Sequence, residues 1–248
     1  EMEEMDRWIL HRLQEVIRRV RDAYENYQFH QVYTTLYNFC TVDLSSQYLD
    51  VIKDRLYTSK AASRPRRSGQ TAMHAILEAM ARLLAPILSF TAEEMWLALP
   101  ERPGKEESVH LTLFPDVESA KLQPELAEKW KTLIAVKGEI ARAIETARQN
   151  KVVGHSLDAA VHVAAPDDIR PLLRENPEDL RAFLIVSALD VVDAAAIEHG
   201  FQSVEIPGLL VGVSRAKGAK CERCWNYSET VGASADHPTL CARCLGNL

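Results

Sequence analysis

Apolar residues recur three and four apart from the start of the chain. Met5, Trp8, Ile9, Leu13, Val16, Ile17, Val20, Ala23, Tyr24 and Tyr27 form the inner side of a helix predicted over residues 5–27. After a polar break at residues 26–28, Val32, Leu36, Phe39, Cys40, Leu44, Tyr48, Val51 and Ile52 continue the pattern and place Cys40 in the packing of a second helix. The pattern dissolves in residues 60–69, whose proline, glycine and serines read as a loop. A third helix is predicted over residues 70–84, kinked or ended by Pro86. Thr91-Ala-Glu-Glu94 has the spacing of a capping box before a fourth helix, which makes Glu93 and Glu94 helix-start residues. Four helices joined by short connections predict an antiparallel bundle over residues 1–100.

Beyond a turn-rich stretch at residues 100–104 the texture changes. Residues 108–114 alternate like a short strand that stops at Pro115, and a fifth helix is predicted from Pro124 to Asn150. These make up a connecting region, residues 101–150. Residues 160–163, 189–192, 203–206 and 209–214 read as strands around a helix at 178–186, so residues 151–216 form a small α+β unit. The fold class is therefore mainly α: a helical bundle, then this α+β unit, then a cysteine-rich module over residues 217–248.

That last module holds the strongest chemical signal. Cys221-Glu-Arg-Cys224 and Cys241-Ala-Arg-Cys244 are two C-x2-C pairs at the separation of a structural zinc site. Four thiolates leave no open position on the ion, so one zinc per chain is expected to hold the fold and not to hydrolyse anything. A redox dithiol, or a mixed site using His237, are the competing readings. Arg223, Arg243 and Trp225 flank the cysteines. The arginines, with Lys217 and Lys220, either offset the excess thiolate charge or touch phosphates while Trp225 stacks on a base.

Composition narrows the classes. The 248 residues are 47% hydrophobic and 26% charged, which is ordinary for a folded soluble protein of one or two domains. No apolar run approaches the length of a membrane span, and the acidic first residues do not read as a secretory signal. The chain opens at Glu1 almost directly into a helix pattern, which suggests a fragment of something longer. A net charge of −6 argues against a generic polyanion binder, so nucleic-acid contact must come from local patches. One such patch is Lys53, Arg55, Lys60, Arg64, Arg66 and Arg67 with only Asp54 against it; a solvated surface is the plain alternative. No phosphate-cradling glycine loop or hydrolase motif is found, the histidines are scattered, and no catalytic residue is assigned.

With these residues laid out, the chain resembles the C-terminal part of bacterial isoleucyl-tRNA synthetases. The likeness rests on Asp6-Arg7-Trp8, Asn38-Phe-Cys-Thr-Val-Asp-Leu-Ser-Ser46 with Tyr48-Leu-Asp-Val-Ile-Lys-Asp-Arg-Leu-Tyr57, Leu84-Ala-Pro-Ile-Leu-Ser-Phe-Thr-Ala-Glu-Glu94, Ser108-Val-His-Leu111 and the terminal Cys-x-Arg-Cys-Trp knuckle. It implies an anticodon-binding bundle and a zinc module gripping the anticodon stem and loop of isoleucine tRNA. It also implies catalytic and editing domains upstream in the same polypeptide, a monomer, and a cytoplasmic location. Under it the Lys53–Arg67 patch and Arg223, Trp225 and Arg243 become tRNA-contact candidates. A zinc-containing helical scaffold that binds another protein is the alternative from a different class.

Overall fold

Helix α1, Glu4–Glu25, buries Trp8, Ile9, Leu13, Ile17 and Val20, the stripe that the periodicity predicts. The computed structural model describes residues 2–248, which are mainly α and divide into two units: residues up to Leu56 with Ala61–Ala127, and Tyr57–Lys60 with Glu128–Leu248. Among the described residues no helix is long and apolar enough to cross a membrane.

Helix α2 (Phe29–Asn38), in the first unit, continues through widened, π-type turns over Phe39–Leu49 into α3, Asp50–Thr58, whose last two residues fall in the second unit. Val32, Leu36, Phe39, Leu44, Tyr48, Val51 and Ile52 are buried as predicted, but Cys40 is exposed. Wider turns advance the buried face from Phe39 to Leu44, and Cys40 rotates out to solvent.

Helix α4 starts at Arg64 and runs to Leu84, so residues 64–69 are helix and not loop. Pro65 lies in its first turn, where a missing N–H costs nothing, and Ser68 and Gly69 are buried inside it. Helix α5, Ser89–Leu97, begins two residues before Thr91 with no side-chain cap, so the capping box does not form. Instead Glu93 accepts the Ser108 hydroxyl and the Val109 N–H, each at 2.9 Å. That contact pins a single tight turn at Val109–Leu111 where a strand was predicted.

The second unit contains most of α6, Pro124–Gln149. A mixed sheet of β1 (Ala159–Ala164), β2 (Ala188–Val191), β3 (Phe201–Gln202) and β4 (Leu210–Arg215) has the order β2-β1-β4-β3. Strands β1 and β2 are parallel and connected through α7 (Arg170–Glu175) and α8 (Pro177–Leu184). β4 runs antiparallel to both β1 and β3. The predicted strand at 203–206 is a turn: the Ser203 N–H donates to the Leu209 carbonyl at 3.0 Å around Pro207 and the left-handed Gly208. Proline and glycine there suit a turn and not a ladder. The terminal module is the hairpin β5 (Ala219–Lys220) and β6 (Tyr227–Ser228), followed by α9, Ala242–Leu245.

Candidate metal centre and nucleic-acid interface

At the open end of the β5–β6 hairpin lies Gly218, φ +85°, where an added Cβ would fall 2.2 Å from the Ser228 carbonyl carbon. Only glycine permits that approach. Beyond β5, Cys221 donates its N–H to the Asn226 carbonyl at 2.9 Å and accepts from the Trp225 N–H at 2.8 Å, folding Cys221–Cys224 into a tight knuckle. Cys241 caps α9, so Cys244 lies on its first turn. The Sγ atoms of Cys221, Cys224, Cys241 and Cys244 are buried and lie within 4.8 Å of one another. His237 is exposed and stands outside this cluster.

The geometry fits a metal. A tetrahedron with Zn–S bonds of about 2.3 Å has edges of about 3.8 Å, and Cys224 Sγ lies 3.8 Å from Cys241 Sγ. Burial raises the pKa of the Cys221 thiol, but N–H groups of Cys224, Cys241 and Arg223 outweigh it and bring the group down to about 6. Burial and neighbouring thiols push Cys244 up, and burial pushes Cys241 up. One ligand is thus poised as thiolate while others hold protons that a dication would displace. These four cysteines fit a single structural zinc with no open coordination position.

Around the cluster the candidates take different positions. Arg223 Nη2 donates to the carbonyls of Thr58 at 3.1 Å and Asn247 at 3.4 Å, all within the second unit. Trp225 is 61% exposed at φ +65°, with Lys220 Nζ 5.4 Å from its ring centre. Arg243 and Lys60 are exposed.

In the first unit, Arg55 is turned inward onto Asp6, a fully buried carboxylate that also accepts the Tyr48 hydroxyl at 2.6 Å and the Ser68 hydroxyl. Asp6 sits among the apolar residues of α1, which was the available sign of a buried counter-charge. Lys53 is exposed and bonds Asp50 at 2.8 Å. Arg64, 3.1 Å from Glu3, and Arg66 and Arg67 all lie in or next to the first turn of α4.

Residues 6–163 match the family described as the anticodon-binding domain of tRNA ligases, and residues 218–245 match a zinc finger found in FPG and IleRS. The chain is 49% identical over 246 residues to the isoleucine–tRNA ligase of Moorella thermoacetica, covering 98% of this chain and 26% of that protein. It is 46% identical to the isoleucine–tRNA ligase of Syntrophotalea carbinolica and 44% identical to that of Geobacter sulfurreducens, with 99% and 98% of this chain and 26% of each relative covered. The chain thus spans about a quarter of the length of the curated relatives it matches. The larger match takes in the helices α1 to α6 and reaches into β1, and the chain belongs to the family of anticodon-binding domains of tRNA ligases.

Proposed function

We propose that this chain is the tRNA-recognition part of an isoleucine–tRNA ligase, the enzyme that joins isoleucine to its tRNA using ATP. In this reading it grips the anticodon stem and loop, contributes no catalytic residue, and is joined to upstream catalytic and editing domains in a cytoplasmic monomer. The bundle of residues 1–100 and the zinc module of residues 217–248 do the gripping, with residues 101–150 and 151–216 connecting them.

The observation that carries this reading is the display of Trp225. Holding an L-residue in the left-handed region costs about 1–2 kcal/mol, and an indole that stays 61% exposed recovers little of that by burial. A flat ring beside the Lys220 ammonium suits an unpaired base and its phosphate. Support comes from α4, whose first turn carries arginines and no acidic residue. The helix dipole opposes cations there, and the same end attracts phosphate. Arg64, Arg66, Arg67, Lys53, Lys60, Trp225 and Arg243 are the proposed contacts. Arg55, held by Asp6, positions the contacts of the first unit, and Arg223, held by Thr58 and Asn247, those of the second.

Filter binding of isoleucine tRNA against an unrelated tRNA, repeated across salt concentrations, tests the proposal. Preferential binding whose logarithm falls steeply with log salt is expected. Equal binding of both tRNAs, or a salt-insensitive affinity, would return the chain to a protein-binding scaffold.

A further inference from the structure

Helix α6 ends in a left-handed turn: the Lys151 N–H donates to the Arg148 carbonyl at 3.0 Å and the Val152 N–H to the Ala147 carbonyl at 2.9 Å, with Lys151 at φ +61°. Glycine fits that position without strain, yet a lysine holds it. Farther along the chain, β4 returns antiparallel to β1 and its register sets Arg215 opposite Ala159. The sheet thereby brings Arg215 to the end of α6. Arg148, Lys151, Gly154, Asp158 and Arg215 line an open cleft of about 400 Å³ within the second unit.

The charges in this cleft are unevenly paired. Arg148 is held by Glu145, at 2.7 and 2.8 Å. Asp158 is turned onto the N–H groups of Gly154 and His155, at 3.0 and 2.9 Å, so the backbone engages the carboxylate. Among the described residues the Lys151 and Arg215 side chains have no hydrogen-bonding or ionic partner. A cation at a helix C-terminus gains from the dipole, which gives Lys151 some structural reason but gives Arg215 none. In a chain of net charge −6, two uncompensated cations converging on one concavity concentrate positive potential there. An adjoining cleft of about 340 Å³ shares Arg148 and Gly154 but is lined mainly by Ile140, Ile144, Leu184 and Ile185 together with Glu145, so the positive potential is confined to the first cleft.

We infer that this cleft is a further phosphate-binding site, with Lys151 and Arg215 contacting the sugar-phosphate backbone of the RNA in addition to the residues of the zinc knuckle and of α4 proposed above. The inference rests on the tRNA reading above.

The test is filter binding of isoleucine tRNA to the zinc-loaded chain over a salt series, comparing wild type with Lys151→Gly/Arg215→Gln. Glycine suits the left-handed position, so the variant should keep its fold, which a thermal melt by circular dichroism checks. Releasing two phosphates should flatten the log-log salt slope by about 1.4–1.8, equivalent to roughly 25- to 60-fold weaker binding than wild type at 0.1 M for a shared 1 M intercept. Lys151→Arg/Arg215→Lys, which preserves charge, should bind like wild type. A charge-removed variant with unchanged affinity and slope overturns the cleft while leaving tRNA recognition standing. So does a charge-preserved variant that loses binding with its melt intact. If wild type shows no salt-dependent tRNA binding at all, both readings fall together.

Discussion

Trp225 offers a test in which fold and function should respond separately. Trp225→Ala and Trp225→Gly remove the same ring, the same half-exposed surface and the same contact with Lys220, so differences between them come from the backbone alone. Alanine keeps the Cβ that makes φ +65° unfavourable, about 1–2 kcal/mol; glycine removes it. Glycine also enlarges the entropy of the unfolded chain, offsetting about 0.4–1 kcal/mol. Trp225→Gly should therefore be more stable than Trp225→Ala by about 0.5–1 kcal/mol, reversing the usual order. Folding of the zinc module is coupled to metal binding, so the difference should appear in competition with a chelator as a roughly two- to fivefold tighter zinc affinity for glycine. Binding of isoleucine tRNA should fall equally in both, by the about 1–3 kcal/mol that one base–aromatic stack contributes. Alanine holding zinc as well as glycine would refute the backbone argument. Either variant binding tRNA like wild type would remove the stacking role.

The buried carboxylate and the metal give three further predictions. Asp6→Ala leaves the Arg55 guanidinium, only 17% exposed, without its counter-charge, and should cost about 3–5 kcal/mol in urea unfolding; a loss below about 1 kcal/mol would mean that Arg55 escapes to water. Removing zinc should abolish amide protection across residues 217–248 while α1 and α4, packed on their own apolar faces, retain theirs; loss of protection in both regions together would contradict that independence. Because Cys241 and Cys244 are raised and hold protons at neutral pH, zinc uptake should release protons and weaken as pH falls, more steeply below about 6, where Cys221 protonates too; calorimetry in buffers of differing ionisation enthalpy measures the release.

Legibility in the sequence depended on the range of the interactions. The inner face of α1 was readable because helix periodicity is local, and the four cysteines because two short knuckles carry their own spacing. Cys40 was misplaced because π-type turns break the period that placed it with Phe39. The start of α4 was hidden because Pro65 is a loop signal in general and a helix-start residue in its first turn. Residues 108–114 alternate, but among the described residues no strand pairs with them, and Glu93 fixes them as a turn. The inward rotation of Arg55 depends on Asp6, 49 residues away, and the cleft at Lys151 depends on the register of β1 with β4. No local pattern encodes either.

Cations in an acidic chain can hold the fold or contact phosphate, and stability and salt slope measure the two roles independently. Arg12 belongs to the first group: its guanidinium lies 3.3 Å from Asp43 on the chain beyond α2, tying α1 to the widened turns. Arg12→Gln should cost up to about 1 kcal/mol, as a partly exposed ion pair does, and leave the salt slope unchanged. Arg64, Arg66 and Arg67 oppose the dipole of α4, which offsets the partly exposed Arg64–Glu3 pair at 3.1 Å, so neutralising all three should cost no more than about 1 kcal/mol. It should also flatten the slope by about 0.7–0.9 for each phosphate no longer neutralised. A triple variant that is destabilised with its slope intact would place these arginines with Arg12, as fold-holding residues, and would withdraw the α4 terminus from the proposed RNA surface.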